Sequence, residues 1–147
     1  MKAFEDIKVS GRLQIKIFDE SGNLKDERDL NNLVVTTGKN FIASRMVGTA
    51  SAVMSHMAVG SGTSSPVVGD TALGGELGRA SLTSGTATNA VATYVATFNA
   101  GIGTGAVTEA GLFNSGVGGT MLCRTVFAVV NKGAADTMTV TWTVTIS

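Results

Sequence analysis

Between Thr137 and Ile146 the chain alternates without a break, with threonine at 137, 139, 141, 143 and 145 and Met138, Val140, Trp142, Val144 and Ile146 between them. A period of two predicts a β-strand with one face in a core. Here the opposite face carries hydroxyls and methyls in place of the usual lysines and glutamates. The same period sets Leu13, Ile15 and Ile17 against Arg12, Gln14 and Lys16. With Ser21-Gly22-Asn23 and the charged run LKDERDL behind it, this reads as a hairpin with one wet face, turning at Ser-Gly-Asn. Residues 33–35 make a short strand. The spacing then changes: Phe41, Ile42, Arg45 and Met46 predict a helix over 37–47, with Gly48 placed to stop it.

Residues 53–59 read as a strand entering the loop GSGTSSPVVGD, which holds the single proline, Pro66. Asp70 is a candidate cap for a short helical turn through Leu77, which Gly74 and Gly75 weaken. Strands follow at 79–83, 91–98, 106–113, 120–130 and 137–146, separated by a turn near Thr88-Asn89, a Gly-rich link, NSGVGG and NKGAAD. The predicted fold is mainly β, an antiparallel β-sandwich or barrel-like domain with one short helix near residues 37–47. The chain, 147 residues long, fits a single domain over 1–147, with 9–35 as a charged hairpin and 53–147 as a Gly/Thr-rich core. A domain of this size buries roughly 68–70% of the surface its unfolded chain exposes.

Charge sharpens the picture. Only 15% of residues are charged and the formal net charge is zero, against roughly 25% charged in an average soluble domain. Residues 1–47 hold eight Lys/Arg and seven Asp/Glu, the remaining hundred hold three and four, and residues 80–108 hold none. Without a basic excess, nucleic acid and anionic membranes are excluded as partners. No stretch of 18 mainly apolar residues offers a transmembrane helix, and a membrane β-barrel is expected to need more strands than this chain supplies. The start of the chain mixes charge through its apolar positions and does not read as an export signal. In VATYVATF, Val91, Thr93, Val95 and Thr97 alternate with Ala92, Tyr94, Ala96 and Phe98, so both faces are half apolar and call for cover on two sides. A neighbouring subunit supplies that cover most economically.

Candidate chemistry is sparse. One His and one Cys cannot make a zinc site. Cys123, in the apolar run MLCRTVF, reads as a buried inert thiol, and His56 as a hydrogen-bonded structural histidine. The acidic residues of 19–29 lack calcium-loop spacing. Gly60-Ser61-Gly62-Thr63-Ser64-Ser65 lacks the lysine and the following helix of a phosphate loop. Glu76 and Glu109 are the sole glutamates beyond residue 27, with nothing to bring them together as a glycosidase pair. The expectation is a protein that is not an enzyme, with no catalytic or metal residues and no cofactor.

Two segments carry a resemblance: MAVGSGTSSPVVGDTALGGELGRASL (57–82), and the stretch 107–146 that begins VTEAGLFNSGVGGTMLCRTVF and closes on the Thr/Val strand. They resemble tailed-bacteriophage virion proteins, in which a strand ends in an IGxG loop, a DTALxxExxR turn follows, and an ExGLF(N/D) hairpin precedes a Thr/Val-rich closing strand. The similarity spans residues 53–147 and covers tail-fibre attachment domains and small stand-alone decoration proteins. It implies a virion structural protein assembled in the bacterial host cytoplasm. With no shaft or receptor-binding tip after Ser147, it implies docking rather than a fibre role.

The assignments follow. Trp142, Val140, Val144, Phe127, Phe113 and Leu112 are the expected core anchors. Thr137, Thr139, Thr141, Thr143, Thr145, Thr93 and Thr97 are the expected interface, since a buried hydroxyl is readily paired whereas a buried lysine is costly. Glu76 with Arg79, and Glu109 with Arg79 or Arg124, are candidate ion pairs, expected at the surface and worth at most about 1 kcal/mol. The first functional reading is a capsid decoration or cement protein bound to the major capsid protein in multiple copies, itself a homo-oligomer with a trimer as candidate state. The alternative is a small tail or tail-fibre adaptor subunit. A carbohydrate-active enzyme is the distant alternative.

Overall fold

A computed structural model describes residues 6–49 and 51–147; residues 1–5, where the 1–147 domain reading begins, and residue 50 lie outside the described residues. Eight strands, β1 (Val9–Phe18), β2 (Leu24–Val34), β3 (His56–Gly60), β4 (Glu76–Thr88), β5 (Val91–Phe98), β6 (Gly105–Phe113), β7 (Met121–Lys132) and β8 (Thr137–Ile146), close into one antiparallel barrel in the order β1-β2-β7-β6-β3-β4-β5-β8. Among the described residues one helix, α1 (Thr36–Met46), forms, and it lies between β2 and β3. The mainly β, barrel-like expectation with one short helix is met, and the barrel alternative is the one realised.

Alternation builds the interior. Across β1, β8 and β5 the inward rows are Leu13-Trp142-Tyr94, Ile15-Val140-Ala96 and Ile17-Met138-Phe98. Except for the half-buried Tyr94, these side chains are essentially inaccessible. The outward rows are Arg12-Thr143-Thr93, Gln14-Thr141-Val95 and Lys16-Thr139-Thr97. The charged 9–35 segment is thus two staves of the barrel, with Asp19 Oδ1 accepting the N–H groups of Ser21 and Asn23 at its turn, where Gly22 takes φ 84°. Eight strands are enough to close a small membrane barrel, so the strand-count argument against one fails. Here the polarity runs the other way, with an apolar filling and a wall of Thr, Lys, Gln and Glu.

Because every neighbouring pair is antiparallel, α1 and both described termini gather at one end of the barrel, the helix end. Gly38 is buried against the Leu122 carbonyl, where a Cβ would collide, and Thr37 Oγ1 donates to Met121 O at 2.9 Å. Phe41 and Ile42 thereby reach the interior cluster. At the opposite end, the base, Lys25 pairs with Asp136, and Lys132 Nζ donates to Asn99 O at 3.0 Å.

One seam is short. β2 and β7 share only Leu33 with Arg124 and Val34 with Cys123. Below these, Thr125 Oγ1 donates to Asn31 O at 2.9 Å, and Arg28 reaches the Ala128 and Val129 carbonyls at 3.4 Å.

Several sequence expectations shift. β3 begins at His56, three residues later than the pattern suggested, and β4 runs well beyond 79–83. No helix forms from Asp70 to Leu77. Asp70 Oδ2 instead accepts Val67 N–H at 3.0 Å and pairs with Arg124 at 2.9 Å, and Gly74 and Gly75 turn their N–H groups toward Glu109.

Candidate functional site

The proposed interface residues come together on one wall. Thr137, Thr139, Thr141, Thr143 and Thr145 point outward from β8, with Thr93 and Thr97 beside them on β5. All seven are partly shielded by their neighbours. Thr143 Oγ1 donates to Arg12 O at 3.3 Å, and Thr83 Oγ1 to Val95 O at 2.9 Å. The wall continues across β4 through Ser84, Thr86 and Thr88, so the outward faces of β8, β5 and this part of β4 carry no formal charge. On the other side of β8 the charge begins at once, on β1 and β2. Arg12 Nε lies 2.7 Å from Asp29 and Gln14 Nε2 donates to Glu27 at 3.1 Å. The hydrogen bond from Arg12 holds the Asp29 carboxyl below its ordinary range, and Arg28 does the same to Asp26.

The core anchors divide between two clusters. Trp142, Val140, Val144, Phe127 and Leu112 fill the barrel, with Trp142 Nε1 donating to Asn32 Oδ1 at 3.0 Å across Gly11, where a Cβ would strike Asn32. Phe113 does not join them. Adjacent on the strand to Leu112, it points outward and packs with Val35, Ala58, Met121 and Leu73 in a second cluster outside the barrel.

That second cluster is covered by the segment 61–75, which crosses the outside of β3, β6 and β7 as a strap. The motifs quoted for the phage resemblance meet beneath it. Glu109 is fully buried and accepts the N–H groups of Gly74 at 2.6 Å and Gly75 at 3.2 Å. A Cβ at Gly62 would collide with its carboxylate, which explains the glycine. A carboxylate in that position also removes the phosphate reading of the loop. Arg124 Nε lies 3.5 Å from Glu109, near enough for attraction but without hydrogen-bond geometry, while its Nη1 bonds Asp70. Thr108 Oγ1 ties Gly62 O at 2.8 Å, and Thr36 N–H ties Val68 O at 2.8 Å. The strap tip, Val67 and Val68, is left exposed at the helix end.

Among the candidate ion pairs, Arg79 bonds Glu76 at 2.6 and 3.2 Å, and it is Arg124 that stands beside Glu109. The surface expectation is corrected for both arginines. The Arg79 side chain is 9% exposed, donates to the Ser115 and Gly118 carbonyls and stacks 4.0 Å from the Phe113 ring centroid. The Arg124 side chain is 3% exposed. The outward faces of β6 at Glu109 and of β7 at Arg124 lie under the strap, which periodicity alone does not reveal, while Ala128 and Val129 nearer the base of β7 stay exposed.

His56 sits between two hydroxyls, Ser55 Oγ at 2.8 Å and Ser81 Oγ at 3.2 Å. Burial pushes the Cys123 thiol well above its ordinary value, so little thiolate forms. Among the described residues no three His, Cys, Asp or Glu side chains cluster as a metal site, and no helix is long and apolar enough to cross a membrane. Sequence reasoning missed Asp70 as the partner of Arg124, the Lys25-Asp136 pair and the Asn32-Trp142 bond. The four glycines at 60, 62, 74 and 75 were the available signal, since glycines clustered without a helix mark close approach of backbone to a neighbour. No protein-family model, no curated protein and no solved structure matches the chain.

Proposed function

We propose that the chain is a non-enzymatic virion structural protein of a tailed bacteriophage, a decoration or cement protein that binds the assembled capsid shell in multiple copies. One observation carries the reading: the outward faces of β8, β5 and the distal part of β4 form a continuous wall of Thr, Val and Ser without formal charge, abutting a ribbon rich in ion pairs. Hydroxyls enter an interface at little cost when backbone or water pairs with them, whereas an ammonium group does not. The resemblance of the Gly60–Gly62, Asp70–Arg79 and Glu109–Asn114 motifs to phage virion proteins supports the same reading, since those motifs form one folded unit around the strap.

Size argues for many copies. The 10 residues of β8, the 8 of β5 and the stretch Ser84–Thr88 of β4, at ~3.4 Å per residue and ~4.8 Å per strand, cover roughly 380 Å², below the ~800 Å² per partner of a standard stable interface. One such contact is weak, and a repeating lattice offers many. The test is the copy number in purified particles by gel densitometry. On the order of hundreds is expected for a shell component built on closed symmetry, and about a dozen would move the protein to the tail. Thr141→Lys, midway along the β8 part of the wall, should fold normally and fail to enter particles. Normal incorporation of that variant would overturn the reading.

A further inference from the structure

We propose that the helix end is a second, self-complementary interface through which two copies of this chain join end to end. Of the twelve exposed large hydrophobic residues among those described, eight lie at this end: Ile7, Met46, Val47, Val53, Val117 and Ile146, together with the two valines of the strap tip. Val47 is 80% exposed and Val117 88%. Loops and strand ends carry them, so apolar projections gather at the barrel mouth. At the same end is a hollow of about 170 Å³ whose walls include Phe41, Ile42, Tyr94 and Val144. A cavity of this size accepts one apolar side chain. Charge at this end is thin and mixed, with Lys8, Lys39 and Arg45 against Asp6.

Projections and a hollow on the same surface are what an isologous two-fold contact requires, because each copy must offer both halves of the fit. The area suffices. Eight strands ~4.8 Å apart, tilted about 40°, give a barrel ~16 Å across at the backbone and roughly 26 Å with side chains, hence about 500 Å² per end. Two ends together reach ~1,000 Å², the lower bound for a specific interface. The contact leaves the threonine wall free, so it stands independently of the shell-binding proposal and makes each particle of the soluble protein bivalent for that wall.

Sedimentation velocity over a concentration series tests it. The expected species is a dimer of twice the 14.9 kDa chain mass. The double variant Val47→Asp with Val117→Asp alters only exposed side chains, so its melting curve should match the parent while its dimer weakens by about tenfold or more. Ala92→Phe, which narrows the hollow, should weaken the dimer independently. Thr141→Lys should leave the dimer intact. A parent chain that stays monomeric throughout overturns the proposal. So does a dimer indifferent to the aspartates, or one dissolved by Thr141→Lys instead. Loss of particle binding with the dimer retained, or the reverse, separates the two interfaces.

Discussion

Replacing Glu109 by Gln tests the strap most directly, because the side chain keeps its shape and loses only its charge. In the parent, both carboxylate oxygens are engaged, one by Gly74 N–H at 2.6 Å and the other by Gly75 N–H at 3.2 Å, and Arg124 Nε stands 3.5 Å away. An amide can accept from one of these glycines but must present N–H to the other donors. Arg124, with a side chain 3% exposed, then depends on Asp70 alone. Breaking a buried pair by removing one partner costs about 3–5 kcal/mol, against about 1 kcal/mol for the exposed pair the sequence suggested. For a chain of this length each kcal/mol moves the melting temperature by about 2–4 °C, so a fall of about 10 °C is expected. Urea denaturation of Glu109→Gln, Arg124→Met and the double variant gives the coupling between them. A loss under about 1 kcal/mol for Glu109→Gln, with no coupling, would refute the argument that burial makes this network stabilising.

Trp142→Ala removes the largest fully buried side chain and strands Asn32, so it should cost about 3–5 kcal/mol in the same denaturation assay; a near-parental midpoint counts against the barrel core as described. The acid limb of stability follows from the aspartates. Lys25, then the Gly133 N–H, hold the Asp136 carboxyl below its ordinary value, as Arg12 and Arg28 hold Asp29 and Asp26. A lowered folded pKa gives stability that is complete above the unfolded value near ~3.9 and is lost as pH falls through the folded one. Thermal midpoints should therefore be insensitive to these groups at neutral pH and decline below about pH 4, less steeply in Asp136→Asn. An unchanged acid slope in that variant would show that the base pair does not contribute.

The barrel was legible where one face of a strand meets water. β1 and β8 announce themselves by strict alternation, and α1 by its change of period and by Gly48, which adopts φ 67° past its end. Legibility failed where both faces are covered. In β6 every residue from Val107 to Phe113 is buried, so the pattern cannot say which side is the barrel, and Phe113 was placed with Leu112 although neighbours on a strand face opposite ways. The strap escaped for a related reason. Its stability comes from Glu109 and Arg124, more than thirty residues downstream, and a segment held by distant side chains has no period of its own. Asp70 looked like a helix cap because a short acidic side chain before apolar residues serves either use, and tertiary partners decided between them.

The brevity of the β2-β7 seam has a kinetic consequence. With two register pairs against the ten that join β1 to β8, it gains least on forming and so closes late in folding. Until it shuts, the molecule is a curled ribbon whose two outer strands offer bare amides and carbonyls to any like ribbon nearby. The clasp of this bracelet is therefore where strand exchange between newly made chains would begin, and amide exchange along residues 24–31 should outpace that along β1.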